Sequence, residues 1–311
     1  MLVSVECVPC MLNMSINAMR QLTSDELLIE TLLAKILRIP ALRGLNWDIT
    51  CPEIAELVIR DITDLMDDED PFKAIKALQN SKAMAIYPWL KSLIQDAPDP
   101  LYLAVNLAIY GNYIDVMMKH GESMDIKGLV EEKLNFLVPR DDFSTLKKRI
   151  KDAKLIVYFG DNSGEIVFDK LLIETVKKKW DPEIVYVVRS CPALNDVTME
   201  EAKTVGMNET ASLMENGIDG PFPGTLLRRC SNKLMDVVKD ADLLISKGGA
   251  NYESLEEETM GKDISYLFLT KCPPLCRNLH TSLDTPILKN RYGTDHSLLW
   301  SMRKEKDNGE S

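Results

Sequence analysis

Apolar residues recur at helical spacing through the first half of the chain. Over residues 24–37, Leu27, Leu28, Ile29, Leu32, Leu33, Ile36 and Leu37 follow a Ser24/Asp25 start signal, which predicts an amphipathic helix. Residues 52–66 repeat the pattern with Ile54, Leu57, Val58, Ile62 and Leu65, and Pro71 stands just past the acidic end. Two more helices are predicted at 72–86 and 101–118; the second carries few charges before Asp115, as an interior helix does.

The period changes near residue 154. Residues 155–159 (LIVYF) form a short apolar run closed by Gly-Asp-Asn-Ser-Gly, the pattern of a buried parallel strand ending in a turn. A helix is predicted over 165–179, then strands at 184–188, 242–246 and 264–270, each separated from the next by helix-compatible sequence. Strands alternating with helices predict a parallel sheet. The expected architecture is an all-helical region over 1–150 packed on a three-layer α/β/α Rossmann-like core over 151–302 with a mostly parallel sheet, then a polar tail over 303–311.

Composition narrows the function classes. With 45% hydrophobic and 27% charged residues the chain of 311 is globular, not disordered. Thirty-seven Lys and Arg against 48 Asp and Glu leave a net charge of -11, the wrong sign for a protein held by nucleic-acid phosphates. No apolar run reaches the roughly 18 residues of a membrane span, and the N-terminus lacks a basic stretch followed by an apolar block. A cytoplasmic protein without nucleic-acid or membrane partners is expected; its oligomeric state is left open. Seven thinly spread cysteines suit thiols or metal ligands better than a disulfide framework.

In open α/β sheets ligands bind beyond the carboxyl ends of the strands. Those positions are strongly polar here: Asp161, Asn162, Ser163, Gly164 and Glu165 after the first strand; Arg189, Pro192, Asn195, Asp196 and Thr198 after the second; Lys247, Gly248, Gly249 and Asn251 after the third; Lys271 after the fourth. Two aspartates and two amides are hard oxygen donors suited to Mg²⁺, Mn²⁺ or a similar divalent ion, Co²⁺ and Ni²⁺ included. The lysines and Arg189 suit phosphate oxygens. Together they point to metal-assisted phosphoryl chemistry. Taken singly, Asp161 could be only a helix cap and each lysine a solvated surface residue; the combination over four strand ends carries the inference. P-loop, dinucleotide and G-x-S-x-G signatures are absent, and the three histidines have no metal-ligand spacing.

The motifs Phe159-Gly160-Asp161-Asn162-Ser163-Gly164-Glu165, Arg189-x-x-Pro192-x-x-Asn195-Asp196-x-Thr198 and Lys247-Gly248-Gly249-Ala250-Asn251-Tyr252-Glu253, in that order, resemble the metal-dependent damage-control phosphatase family, formerly a domain of unknown function. Cys7-Val8-Pro9-Cys10, Asp70-Pro71-Phe72-x-x-x-Lys76 and Gly111-Asn112-x-x-Asp115 are weaker landmarks of the same likeness. The resemblance is to the stand-alone, mainly prokaryotic branch. It implies hydrolysis of small phosphorylated metabolites such as sugar phosphates or damaged side products, with the metal ligands falling on Asp161, Asn162 and Asp196 and a phosphate-contacting lysine on Lys271. One departure is Gly248-Gly249-Ala250-Asn251 where the family has Gly-Gln-Gly-Asn, which bears on substrate preference.

Arg189, Lys247 and Asn251 are further candidates for phosphate contact, with Glu165 and Asn195 beside them. Asn112 and Asp115 are expected to reach the cleft, although Gly111 in an apolar helix also suits close packing. Cys7 and Cys10 could form part of a thiolate site completed by Cys272 and Cys276, or be two reduced structural cysteines. The run Asp67-Asp68-Glu69-Asp70 reads as a solvated helix end. Whether a metal-bound water attacks phosphorus or Asp161 forms an aspartyl phosphate is open from the residues. An S-adenosylmethionine-dependent carboxyl methyltransferase is the rival enzyme, disfavoured by a polar, glycine-poor first loop; a non-catalytic phosphometabolite-binding module is the rival of another class.

Overall fold

The structure, a computed structural model, describes residues 1–111, 126–133, 137–256, 258 and 261–293. The predicted tail over 303–311 lies outside them. Three helices open the chain: α1 (Cys7–Leu22), α2 (Glu26–Ile36) and α3 (Cys51–Met66). Asp25 caps α2 through Leu27 N, and Thr50 with Glu53 forms a reciprocal capping box at α3. Their apolar stripes meet in a cluster of their own around Met19, Leu32, Ile36, Val58 and Ile62, joined by Phe72 and Ala193.

The next helices are α4 (Lys73–Asp96), α5 (Pro100–Gly111), α6 (Ile126–Lys133) and α7 (Arg140–Asp152). Sequence periodicity stops α4 at residue 86, yet the helix runs through Pro88. Leu90 and Ile94, beyond the proline, are buried in the main core, and that burial offsets the lost backbone hydrogen bond. The alternating part supplies β1 (Leu155–Phe159), α8 (Glu165–Lys179), β2 (Glu183–Val188), α9 (Met199–Thr204), β3 (Ser212–Glu215), α10 (Asn232–Asp240), β4 (Leu243–Lys247), α11 (Gly249–Leu255), β5 (Ile264–Leu269), α12 (Pro273–Leu279) and β6 (Pro286–Arg291).

The strands form one six-stranded sheet in the order β3-β2-β1-β4-β5-β6, parallel except for β6. The α/β fold with a mostly parallel sheet agrees with the sequence pattern. The two unpredicted strands are the edges: β3 is four residues and half exposed, and β6 contains Pro286, Lys289 and Arg291, so neither shows an apolar run.

Period-two alternation splits the central strands between two cores. Ile156, Tyr158, Ile184, Tyr186, Leu243 and Ile245 face α4, α5, α7 and α8. Val157, Phe159, Val185, Val187 and Leu244 face α10, α11 and α12. Helices α4, α5 and α7 thus share the core of the sheet, and only α1–α3 keep a separate one. Gly111 is the last described residue of α5, and a Cβ there would stand 3.1 Å from Phe168 and 3.2 Å from Glu165 of α8, so close helix packing accounts for this glycine.

One expectation is corrected. Asp67, Asp68 and Glu69 are exposed, but Asp70 is not simply solvated: its Oδ2 lies 2.7 Å from the ammonium of fully buried Lys76, which also reaches Glu201 of α9 at 3.0 Å. Asp70-Pro71-Phe72-x-x-x-Lys76 therefore anchors α4 to α9. Lys76→Ala leaves two carboxylates without their shared cation, and a loss of about 3–5 kcal/mol is expected. Urea denaturation checks it; wild-type stability would show that the pair does not bind the two parts together.

Candidate active site at the carboxyl edge of the sheet

The loop after β2 folds back along the loop after β1, and their backbones pair. Val197 N donates to Asp161 O at 2.8 Å, Ser163 N to Asn195 O at 2.8 Å and Arg189 N to Val197 O at 2.9 Å, with Asn162 and Asp196 as antiparallel bridge partners. This register sets Asp161, Asn162 and Asp196 side by side. Asn162 Nδ2 donates to Asp161 Oδ2 at 2.9 Å, while its Oδ1 accepts no hydrogen bond among the described residues. From the helical part, Asn80 of α4 accepts from Gly164 N at 2.6 Å and fixes the start of α8. Gly248, at φ +81°, presses on the site from β4: a Cβ there would lie 1.9 Å from Asp161 Oδ2, so no side chain fits.

Arg189 lies between the two aspartates. Its Nε donates to Asp196 Oδ2 at 2.6 Å and its Nη2 is 3.5 Å from Asp161 Oδ1. Its Nη1 is held by Gly224 O, Thr225 Oγ1 and Asn251 Oδ1 at 2.7–3.1 Å. Asn251 in turn donates to Gly160 O and Lys247 O. Both side chains are buried and stand outside the lining of the cavity, so they brace the aspartates. Burial, then Glu165 and Asp196, push the Asp161 carboxyl well above the usual range; Arg189 and Lys271 oppose the rise.

Lys247 is also not brought to the cavity. At 0% exposure its ammonium donates to Glu165 Oε1 at 2.5 Å, Asp169 Oδ1 at 2.6 Å and Ala108 O at 2.8 Å. Tyr158 and Tyr186 donate to the two oxygens of Asp169 at 2.8 and 2.9 Å. Burial raises Asp169 to about 6 against the pull of Lys247. Glu165 belongs to this buried knot, which ties β4 to α8 and α5. Asn112 and Asp115 lie outside the described residues.

A cavity of about 280 Å³ opens over the paired loops, and Asp161, Asn162, Asn195, Asp196 and Lys271 line it. Asn195 is buried, and its Nδ2 has no hydrogen-bond partner among the described residues. The donor set of two carboxylates and one amide oxygen fits a hard divalent cation in chemistry.

Four thiols share the same wall. Cys7 and Cys10 of α1 are joined by Cys51, the first residue of α3, and by Cys272 before α12, whereas Cys276 does not line the cavity. A hydrogen bond from Cys51 and contacts with Ser4 lower the Cys7 thiol to about 6. All seven cysteines are free, and among the described residues no three His, Cys, Asp or Glu side chains form a ready metal cage.

Sequence reading missed Asn80, Asp169, Cys51 and Glu253. Glu253 was readable, since it stands three residues after Ala250 on the same face of α11, and both line the cavity. Its side chain is 9% exposed, and its Oε2 has no hydrogen-bond partner among the described residues. Burial raises its carboxyl to about 8; the Met1 ammonium lowers it and Cys7 and Glu256 raise it.

Two outcomes are expected. Gly248→Ala should destabilise the fold by about 1–3 kcal/mol and displace Asp161, read as a lowered denaturation midpoint; a silent substitution would refute the tight approach. Between the ordinary carboxyl value of 4.5 and about 8, the unfolded chain has released the Glu253 proton while the folded chain keeps it, so stability falls as pH rises. Glu253→Gln should flatten that decline in melts across this window, and an unchanged slope would mean that Glu253 ionises normally when folded.

A model of the damage-control phosphatase ARMT1-like domain matches residues 3–285. The chain is 31% identical over 293 residues to an uncharacterised protein of Methanocaldococcus jannaschii, covering 92% of this chain and 94% of that one. It is 29% identical to a damage-control phosphatase of Archaeoglobus fulgidus, covering 93% and 99%. Among solved structures, a DUF89 family protein of Pyrococcus horikoshii superposes with a TM-score of 0.81 at 27% identity, over 93% of this chain and 98% of that one.

Proposed function

The chain belongs to the damage-control phosphatase ARMT1-like family, and from that premise we propose that it hydrolyses small phosphate monoesters in the cavity at the carboxyl edge, with the help of a divalent ion. The observation that carries this reading is the backbone pairing of the loops after β1 and β2, which gathers two buried carboxylates and an amide at one cavity wall. Asp161, Asn162 and Asp196 would hold the ion, which supplies Lewis-acid polarisation of the phosphoryl oxygens and neutralises their charge.

The chain's own side chains do the rest. Lys271, just past β5 and on the cavity wall, places a positive charge where phosphate oxygens can meet it. The Nδ2 of Asn195 offers a preorganised donor to the same group. Arg189 is a positioning residue: with Nε on Asp196 and Nη2 beside Asp161, it holds both carboxylates in place from behind. The apolar part of the wall excludes water from the ester and strengthens each of these interactions.

Phosphate release from a panel of phosphate esters, measured in EDTA and then with Mg²⁺, Mn²⁺, Co²⁺ or Ni²⁺, tests the reading. Activity should be absent in EDTA and return with at least one metal. Asp161→Asn and Asp196→Asn should each lower kcat by about 10²–10³-fold and weaken metal binding measured by calorimetry. Wild-type turnover in either variant, or full activity in EDTA, would overturn the assignment.

A further inference from the structure

Beyond Asp161, Asn162, Asp196 and Lys271, the cavity wall is mostly apolar. Met11 and Met14 come from α1, Cys51 and Ala55 from α3, Leu194 from the loop after β2 and Leu275 from α12. Among the described residues the other polar lining side chains are Glu6, Asn195 and Glu253. Glu6 is already held by Arg277 at 2.8 Å and by Ser4, and Asn195 lies beside Asp196. The buried Oε2 of Glu253 is the polar atom left over on the apolar part of the wall.

Glu253 lies about one helical turn along α11 from the Gly248–Gly249 step that touches Asp161. Cys7, Cys10, Cys51 and Cys272 line the same cavity as Glu253. An ester with its phosphate at the acid–amide set would therefore direct its alcohol part toward the thiols and Glu253.

Resting on the phosphatase reading, we infer that the alcohol part of the substrate is compact and predominantly apolar, and carries one hydrogen-bonding group that pairs with Glu253. The volume of about 280 Å³ corresponds to about nine waters, which suits a body of a few carbons. A polyhydroxylated sugar of that size would bring several hydroxyls to methionine, cysteine and leucine side chains, and each buried hydroxyl without a partner costs about ten-fold in affinity. A single hydroxyl or amide N–H near Glu253 would instead satisfy an atom that is otherwise orphaned.

A series of equal chain length tests this on the full chain with the activating metal: pentyl phosphate, 5-hydroxypentyl phosphate and ribitol 5-phosphate. Hydrolysis and ligand-induced change in Tm are both measured. The expected result is a kcat/KM at least about ten-fold higher for 5-hydroxypentyl phosphate than for ribitol 5-phosphate. Glu253→Leu should erase the advantage of the hydroxypentyl ester over pentyl phosphate, through KM more than kcat; this ratio within one variant is insensitive to the fraction folded. Equal or better use of ribitol 5-phosphate would overturn the inference and leave the phosphatase reading intact. Stronger stabilisation by the hydroxypentyl ester without hydrolysis of any ester would support the apolar cavity and overturn the phosphatase reading. Neither hydrolysis nor stabilisation would overturn both.

Discussion

Burying carboxylates is the constraint on which the rest of the structure depends. At and behind the carboxyl edge, six acids are taken out of water in three pairs, each pair bridged by one cation: Asp70 and Glu201 by Lys76, Glu165 and Asp169 by Lys247, and Asp161 and Asp196 by Arg189. An unpaired buried charge costs several kcal/mol, so burying each pair of acids depends on its cation. Two of the knots serve architecture. Lys76 joins α4 to α9, and Lys247 joins β4 to α8. The third lies against the cavity, where Asp161 and Asp196 line the wall together with Lys271.

This arrangement makes the helical N-terminal region part of the site. Asn80 of α4 fixes the turn into α8, Lys76 reaches the capping box of α9 through Glu201, and α1 and α3 supply the apolar wall. The sheet alone would expose its carboxyl edge to water. With the helices beside it, that edge becomes a half-open cavity with acidic groups in its wall, and its charges act in a medium where they count for more than in open water.

The fold was legible where apolar runs are buried on both faces, and illegible at the sheet edges, where exposure lets polar residues replace the run. The site was legible as a set of strand ends, but proximity to a strand end does not say which way a side chain points. Lys247 shares a strand face with Leu243 and Ile245, both packed in the core shared with α8, so alternation along β4 already aims its ammonium at Glu165 and Asp169 instead of the cavity. Arg189 follows Val188 and takes the opposite face, toward Asn251 of α11. Alternation does not separate Lys271 from Lys247, because Lys271 falls on the face of Leu267 and Leu269; the difference is that Lys247 is the last residue of β4 while Lys271 stands two residues past the end of β5. Cys51 could not be found this way, because its place on the wall depends on how α3 packs against α1 and α11.

The net charge of -11 takes on a local meaning. A long-range field of that sign repels a phosphate, and salt screens it within about 8–10 Å, so recognition of an anion has to be built at contact range. Arg189 does not line the cavity: its Nε and Nη1 are committed to Asp196, Gly224, Thr225 and Asn251, and its Nη2 lies beside Asp161. Within the proposed function the floor of the cavity must first gain positive charge beside Asp161 and Asp196, and only then do Lys271 and Asn195 face an anion instead of two competing carboxylates. In that reading cation and phosphate binding would be coupled by electrostatics, with Arg189 bridging the two carboxylates from behind.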